Sequence, residues 1–191
     1  MSTTNNIALR DNPVTIQTEE DIIRASQENP AAFQKLYERH YAQIFSFILK
    51  RVNDKATSAD IAQQVFIKAL SSIKKYINKG VPYSAYLYRI ATNECNSFFR
   101  EQNKIRFVVV DEIFTEGLMD QLDIEDTYDS NMAALKNAFK LLKVDEIQLL
   151  ELRFFEMKSF KEVGYIMSIT ENSAKVKTYR LLGKMKKMME I

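Results

Sequence analysis

Ser159-Phe160-Lys161-Glu162-Val163-Gly164-Tyr165-Ile166-Met167-Ser168-Ile169-Thr170, followed at once by Glu171-Asn172-Ser173-Ala174-Lys175-Val176-Lys177-Thr178-Tyr179-Arg180, decides how the chain is read. Apolar residues recur at helical spacing on both sides of the 167–170 break, which predicts a short helix, a tight turn and a second helix. The second helix turns Ala174, Leu181 and Met185 inward and leaves Lys175, Lys177, Tyr179 and Arg180 outside. This is a helix-turn-helix layout, whose second helix enters the major groove of DNA. Arg and Lys suit guanine edges or phosphates, and Tyr179 suits a thymine methyl or a phosphate. Six basic and two acidic side chains between 171 and 191 bias the segment toward phosphate.

Working outward, the formal charge of +2 over 191 residues conceals a segregated distribution. Residues 1–30 carry two basic and five acidic side chains, and 31–106 carry thirteen and five. The stretch 107–130 holds eight acidic residues and no basic one, whereas 131–191 holds twelve basic and seven acidic. Two basic blocks flanking an acidic strip point to two polyanion-facing modules. The single cysteine, Cys95, excludes an internal disulfide framework and suits a reducing compartment. With one Cys and one His (His40), neither a metal site nor any cofactor is expected. Cys95 sits among apolar helical positions, far in sequence from His40, and no Gly-rich phosphate loop occurs, so an enzyme is not expected. No apolar run approaches the roughly 20 residues that cross a bilayer, and the polar N-terminus lacks a signal pattern.

The periodicity predicts an all-α protein of two small helical domains. A short helix is expected over about 19–27, then a long one starting at Asn29-Pro30 and closing at Asn53-Asp54. Its apolar face is Phe33, Leu36, Tyr37, Tyr41, Ile44, Phe45 and Ile48. Thr57 or Ser58 is expected to cap the next helix, which buries Ile61, Val65, Phe66, Ala69, Leu70 and Ile73. Asn78-Lys79-Gly80-Val81-Pro82 breaks it. A third long helix, about 83–102, buries Leu87, Ile90, Ala91, Cys95 and Phe98. The domains are thus a variable 1–18, a bundle over 19–106, an acidic linker over 107–130 and a second helical unit over 131–191.

Four segments in fixed order carry a resemblance. They are Asp60-Ile-Ala-Gln-Gln-Val-Phe66, Tyr83-Ser-Ala-Tyr-Leu-Tyr-Arg-Ile-Ala-Thr-Asn93, Leu149-Leu-Glu-Leu-Arg-Phe-Phe155 and the stretch 159–180. As a set they resemble sigma-70 factors of the extracytoplasmic-function (ECF) group, which keep only the second and fourth sigma domains. The resemblance implies a cytoplasmic protein that binds core RNA polymerase, through the β′ clamp helices and the β flap, and brings it to promoter DNA. It implies docking on the clamp helices through Asp60, Gln63, Gln64 and Phe66, with Gln64 where the family has an acidic residue. It implies capture of unpaired bases of the -10 element by the loop 77–82 and the helix after it. Asn78, Lys79, Arg89, Asn93, Asn96, Arg100, Lys104 and Arg106 would hold that strand, while Tyr86 and Tyr88 are read as core aromatics. It implies -35 recognition by Lys175, Val176, Tyr179 and Arg180, with Ser173 and Lys177 nearby. Ser168 stands where the family has glycine, so a strained turn is expected. The acidic linker either threads toward the polymerase active site or serves as a solubilising tether. An anti-sigma factor, commonly membrane-bound, is the further partner implied. The residues taken without the resemblance also fit a stand-alone helix-turn-helix regulator binding a duplex operator.

Overall fold

Each helix begins and ends where the sequence supplies a chemical reason. The computed structural model describes residues 18–102 and 128–189, with side chains in the second stretch from 134 onward. Helix α1, Glu19–Glu28, starts with a capping box in which the Thr18 hydroxyl accepts the Asp21 N–H and the Asp21 carboxylate accepts the Thr18 N–H, both at 3.2 Å. The Asn29 side chain accepts the Ala31 N–H, and Pro30 sets the next turn, which is 3-10 (Pro30–Phe33) before α2 runs over Gln34–Val52. Asn53 closes α2 in the left-handed region, at φ 54°. Helix α3, Lys55–Ser72, is capped by Asp54, whose carboxylate accepts the Thr57 N–H at 2.7 Å. The cap expected at Thr57 or Ser58 is therefore displaced upstream; the Ser58 hydroxyl instead donates to the Asp54 carbonyl. A 3-10 turn, Ile73–Lys75, ends this helix, and α4 follows the break as Tyr83–Gln102.

The second unit comprises α5 (Tyr128–Lys140), α6 (Val144–Leu150), α7 (Phe160–Met167) and α8 (Glu171–Met189). Helix α6 widens into a π turn, Glu151–Phe155, sealed by the Glu156 N–H on the Glu151 carbonyl. Of the expected variable segment 1–18, residues 1–17 lie outside the described residues, as do residues 107–127 of the expected linker 107–130, whose last three residues already belong to α5. No helix among the described residues is long and apolar enough to cross a membrane.

Helices α2, α3 and α4 share a core of Leu36, Ile44, Ile48, Ala62, Val65, Ala69, Leu87, Ala91 and Cys95. Burying one such Leu or Ile contributes about 1.5–3 kcal/mol. Phe47 and Tyr88, in edge-to-face contact at 4.7 Å, are part of the core, whereas Ile90 and Phe98, expected there, are only partly buried. Leu70 is exposed rather than core. In the second unit, Leu135, Phe139, Leu150, Leu152, Val163, Ile166, Ala174, Leu181 and Met185 form the corresponding core.

The two units meet where α7 lies on α4 and the π turn reaches α2. Arg51 Nη2 donates to Glu151 Oε2 at 2.7 Å, with Arg51 1% and Glu151 7% exposed. The Arg51 guanidinium also stacks 4.0 Å from the Phe47 ring centre, while its Nε and Nη1 make no hydrogen bond. Tyr88 donates its hydroxyl proton to Glu156, and the buried Lys158 ammonium sits 4.2 Å from the Tyr88 ring centre. Burial, and then the Glu156 charge, push the Tyr88 phenol well above its ordinary range, so it stays a donor.

A buried ion pair gains little over an apolar pair, but losing one partner strands the other charge at a cost of about 3–5 kcal/mol. Arg51→Ala is expected to separate the units, read as a larger radius of gyration in small-angle scattering and a lower denaturation midpoint. Arg51→Met with Glu151→Leu should restore the wild-type radius.

Candidate nucleic-acid interface

The angle between α7 and α8 is fixed by two small-residue features. Gly164 packs against the turn so closely that a Cβ there would lie 2.9 Å from the Ile169 carbonyl oxygen and 3.1 Å from the Glu171 nitrogen. The chain then leaves α7 through a Schellman closure, Ile169 N–H to Gly164 O at 2.9 Å and Ser168 N–H to Tyr165 O at 3.4 Å. Ser168 occupies the left-handed region at φ 59°, ψ 39°, the strained geometry anticipated for a serine in glycine's place. Thr170 starts α8 by accepting the Ser173 N–H at 3.1 Å.

Helix α8 buries Ala174, Thr178, Leu181 and Met185 and exposes Lys175, Val176, Lys177, Tyr179 and Arg180, as expected of a groove-reading face. Ser173 departs from that face: it is partly buried, and its oxygen accepts the Thr170 hydroxyl at 2.9 Å. Its role is at the cap. Beside the face, a groove between α6 and α8 is lined by Lys143, Lys177, Arg180 and Lys184 against Asp145 and Glu146. Lys184 bridges both Glu146 oxygens at 2.9 and 3.1 Å, which leaves the rim's net charge positive for phosphate. Lys143 and Lys184, distant in sequence from the turn, were not among the sequence-derived candidates.

On α4, Arg89, Asn93, Asn96 and Arg100 recur at steps of four, three and four, so they form one stripe. Asn93, Asn96 and Arg100 are exposed, whereas Arg89 is half-buried, its guanidinium 5.4 Å from the Tyr165 ring centre on α7. Asn78 and Lys79 are exposed on the loop at the N-terminal end of the same helix. The Asn78 side-chain oxygen Oδ1 accepts the Gly80 N–H at 2.8 Å, and Gly80 takes φ +73°, so the loop turns on itself. Tyr83 and Tyr88 are core residues; Tyr86 is partly buried, in hydrogen-bond contact with Ser72 at 2.6 Å. Burial raises the neighbouring Tyr76 phenol to about 12. Lys104 and Arg106 lie outside the described residues.

Asp60, Gln63 and Gln64 are exposed on α3. Phe66 is not: it is buried against the rings of Tyr37 and Tyr41, at 4.8 and 6.0 Å, and supports the surface from beneath. The exposed apolar residues on that helix are Ile67 and Leu70, which continue the stripe of Asp60, Gln63 and Gln64 one and two turns on. The helical period already placed Ile67 outside, so this signal was present in the sequence. Cys95 is buried, and no cluster of metal-ligating side chains occurs among the described residues.

With this geometry in view, the relatives are informative. Residues 36–105 match the family model for sigma-70 region 2. The chain is 26% identical over 172 residues to the ECF RNA polymerase sigma factor BldN of Streptomyces coelicolor, covering 87% of this chain and 63% of that protein, under two thirds of its length. It is 25% identical over 164 residues to the ECF sigma factor SigX of Bacillus subtilis, covering 83% of this chain and 84% of that one. Two solved structures share the fold. CnrH, in complex with the cytosolic domain of CnrY, aligns at TM-score 0.58 and 15% identity over 88% of this chain and 95% of its own. RpoE of Bartonella quintana, in complex with the anti-sigma factor NepR, aligns at TM-score 0.56 and 15% identity over 83% and 97%.

A left-handed residue other than glycine costs about 1–2 kcal/mol, part of which glycine's extra unfolded-state freedom cancels. Ser168→Gly is therefore expected to stabilise the protein by about 0.5–1 kcal/mol in urea denaturation.

Proposed function

We propose that this chain is a sigma-70 factor of the extracytoplasmic-function group, which binds core RNA polymerase and directs promoter-specific initiation of transcription. The observation that carries the reading is the pairing, in one chain, of two different DNA-facing surfaces. One is a polar stripe on α4 beside a preformed loop, inside the stretch matching region 2. The other is the basic exposed face of a helix-turn-helix. A duplex reader needs only the second.

In this reading 19–106 acts as the second sigma domain, 131–191 as the fourth, and 107–130 joins them. The loop 77–82 captures unpaired bases of the -10 element, while Asn78, Lys79, Asn93, Asn96 and Arg100 hold the strand. Extruding a base costs a few kcal/mol, which stacking and a fitted pocket offset. Lys175, Val176, Tyr179 and Arg180 read the -35 duplex, with Lys177 on phosphate. Asp60, Gln63 and Gln64, together with Ile67 and Leu70, face the β′ clamp helices; the exposed Leu141 and Val144 suit the β flap. Arg89 joins the strand contacts once α7 leaves α4, so promoter engagement is coupled to parting of the units at Arg51 and Glu151. The chain supplies binding energy and placement, and the chemistry of RNA synthesis belongs to the polymerase, which puts the protein in the cytoplasm. The complex of RpoE with the anti-sigma factor NepR supports a regulator of the anti-sigma kind for this chain.

The test is transcription in vitro from a genomic fragment library by core polymerase with and without the protein. New discrete start sites that need both are expected; footprints by the protein alone, without new starts, would assign it to operator binding. Lys175→Ala with Arg180→Ala should lower promoter-specific transcript about 10- to 100-fold and leave core binding intact. Asp60→Ala with Gln63→Ala should weaken core binding about tenfold, measured by fluorescence anisotropy, without changing the start sites used.

A further inference from the structure

The loop 77–82 is held at both ends by α1, a helix that lies outside the stretch matching region 2. Where the chain enters the loop, Gln27 Nε2 donates to the carbonyls of Ile73 at 3.2 Å and Tyr76 at 2.9 Å. The Ile73 carbonyl also takes the Tyr76 N–H at 3.0 Å, whereas the Tyr76 carbonyl lies past the last turn, where carbonyls lose their helical partners. Where the chain leaves the loop, Glu19 Oε2 accepts the N–H of Tyr83, the first residue of α4, at 3.2 Å. A carboxylate there satisfies an orphan donor and meets the positive end of the helix dipole.

The other Glu19 oxygen is fixed by His40 Nε2 of α2 at 2.8 Å, so the carboxylate cannot swing away. That bond, assisted by the Tyr83 N–H and opposed by burial, holds the Glu19 carboxyl below its ordinary 4.5. Between the ends, Glu20 Oε1 accepts from Asn78 Nδ2 at 3.2 Å, and Asn78 in turn fixes Gly80. Glu19 and Gln27 stand eight residues apart, about 12 Å along a helix axis, so a rigid rod sets the spacing of the loop's ends. Ile22, Ile23 and Ser26 anchor that rod in the core.

We propose that α1 is a splint that presets the loop for base capture, with Glu19, Glu20 and Gln27 as positioning residues for -10 recognition. The proposal rests on the loop's assignment above. A loop already ordered loses less freedom when a base enters it, and one held in a single shape rejects the wrong base better.

The experiment uses holoenzyme and a fluorescent single strand spanning the -10 element mapped by the transcription assay, alongside strands with each base replaced. The discrimination ratio between cognate and replaced base is the readout, with core affinity and melting midpoint measured in parallel. Gln27→Met and Glu19→Ala are expected to lower the ratio about five- to tenfold while core affinity stays within about twofold. Glu19→Gln, which keeps an acceptor for Tyr83 and a partner for His40, should retain most of it. Glu20→Ala removes only an exposed contact and keeps the test open if the buried substitutions fail to fold; about a threefold loss is expected. A ratio within twofold of wild type in folded variants overturns the splint. A wild-type holoenzyme that does not discriminate among strands overturns the loop's assignment as well, and is recognised because it fails before any substitution is made.

Discussion

The buried pair of Arg51 and Glu151 is the contact on which the arrangement of the two helical units depends. It joins α2 to the π turn after α6 across 100 residues of sequence, in a setting where neither charge meets bulk water. The wider pitch of the π turn puts Glu151 and Glu156 on one side, so one carboxylate meets Arg51 and the other takes the Tyr88 hydroxyl and lies 3.8 Å from Lys50. Such a junction specifies geometry more than it stabilises, since desolvation cancels most of the attraction. Two Arg51 nitrogens without a hydrogen bond lower its net worth further. An interface of this kind is well suited to parting when a better partner competes for its surfaces.

The packing of the helices also explains why the proposed DNA contacts are unequally available. On α8 the reading face is open, because the small Gly164 lets α7 sit low in the turn and away from it. On α4 the stripe is open at Asn93, Asn96 and Arg100 but closed at Arg89, where Tyr165 lies against the guanidinium. The loop at the start of α4 is exposed yet ordered by polar arms from α1, so exposure and preorganisation coexist.

Much of the fold was legible. The capping signals at Asn29-Pro30 and Asn53, the break at 78–82 and the helical run of 83–102 all correspond to the observed elements, because each is decided within a few residues. The cap of α3 was misplaced by three or four residues, since Asp54, Thr57 and Ser58 are all good caps and only backbone geometry chooses among them. Among the candidate contacts, Phe66 and Ser173 are the ones least open to a partner. Both lie in motifs with exposed neighbours, and each is withdrawn by a partner: the Tyr37 and Tyr41 rings for Phe66, the Thr170 hydroxyl for Ser173.

What the sequence determined by itself was an all-helical chain with two basic modules, a helix-turn-helix and a strained Ser168, because periodicity, capping and charge act locally. What only the tertiary structure decided was the fate of individual polar groups. Arg51, Glu151 and Lys158 are buried, Glu19 reaches the start of α4, and Gln27 reaches the end of α3. A charged or amide side chain is equally at home in water or against a distant partner, and its composition does not say which. Only the fold, by bringing residues 46 to 100 positions apart within hydrogen-bond distance, makes that choice.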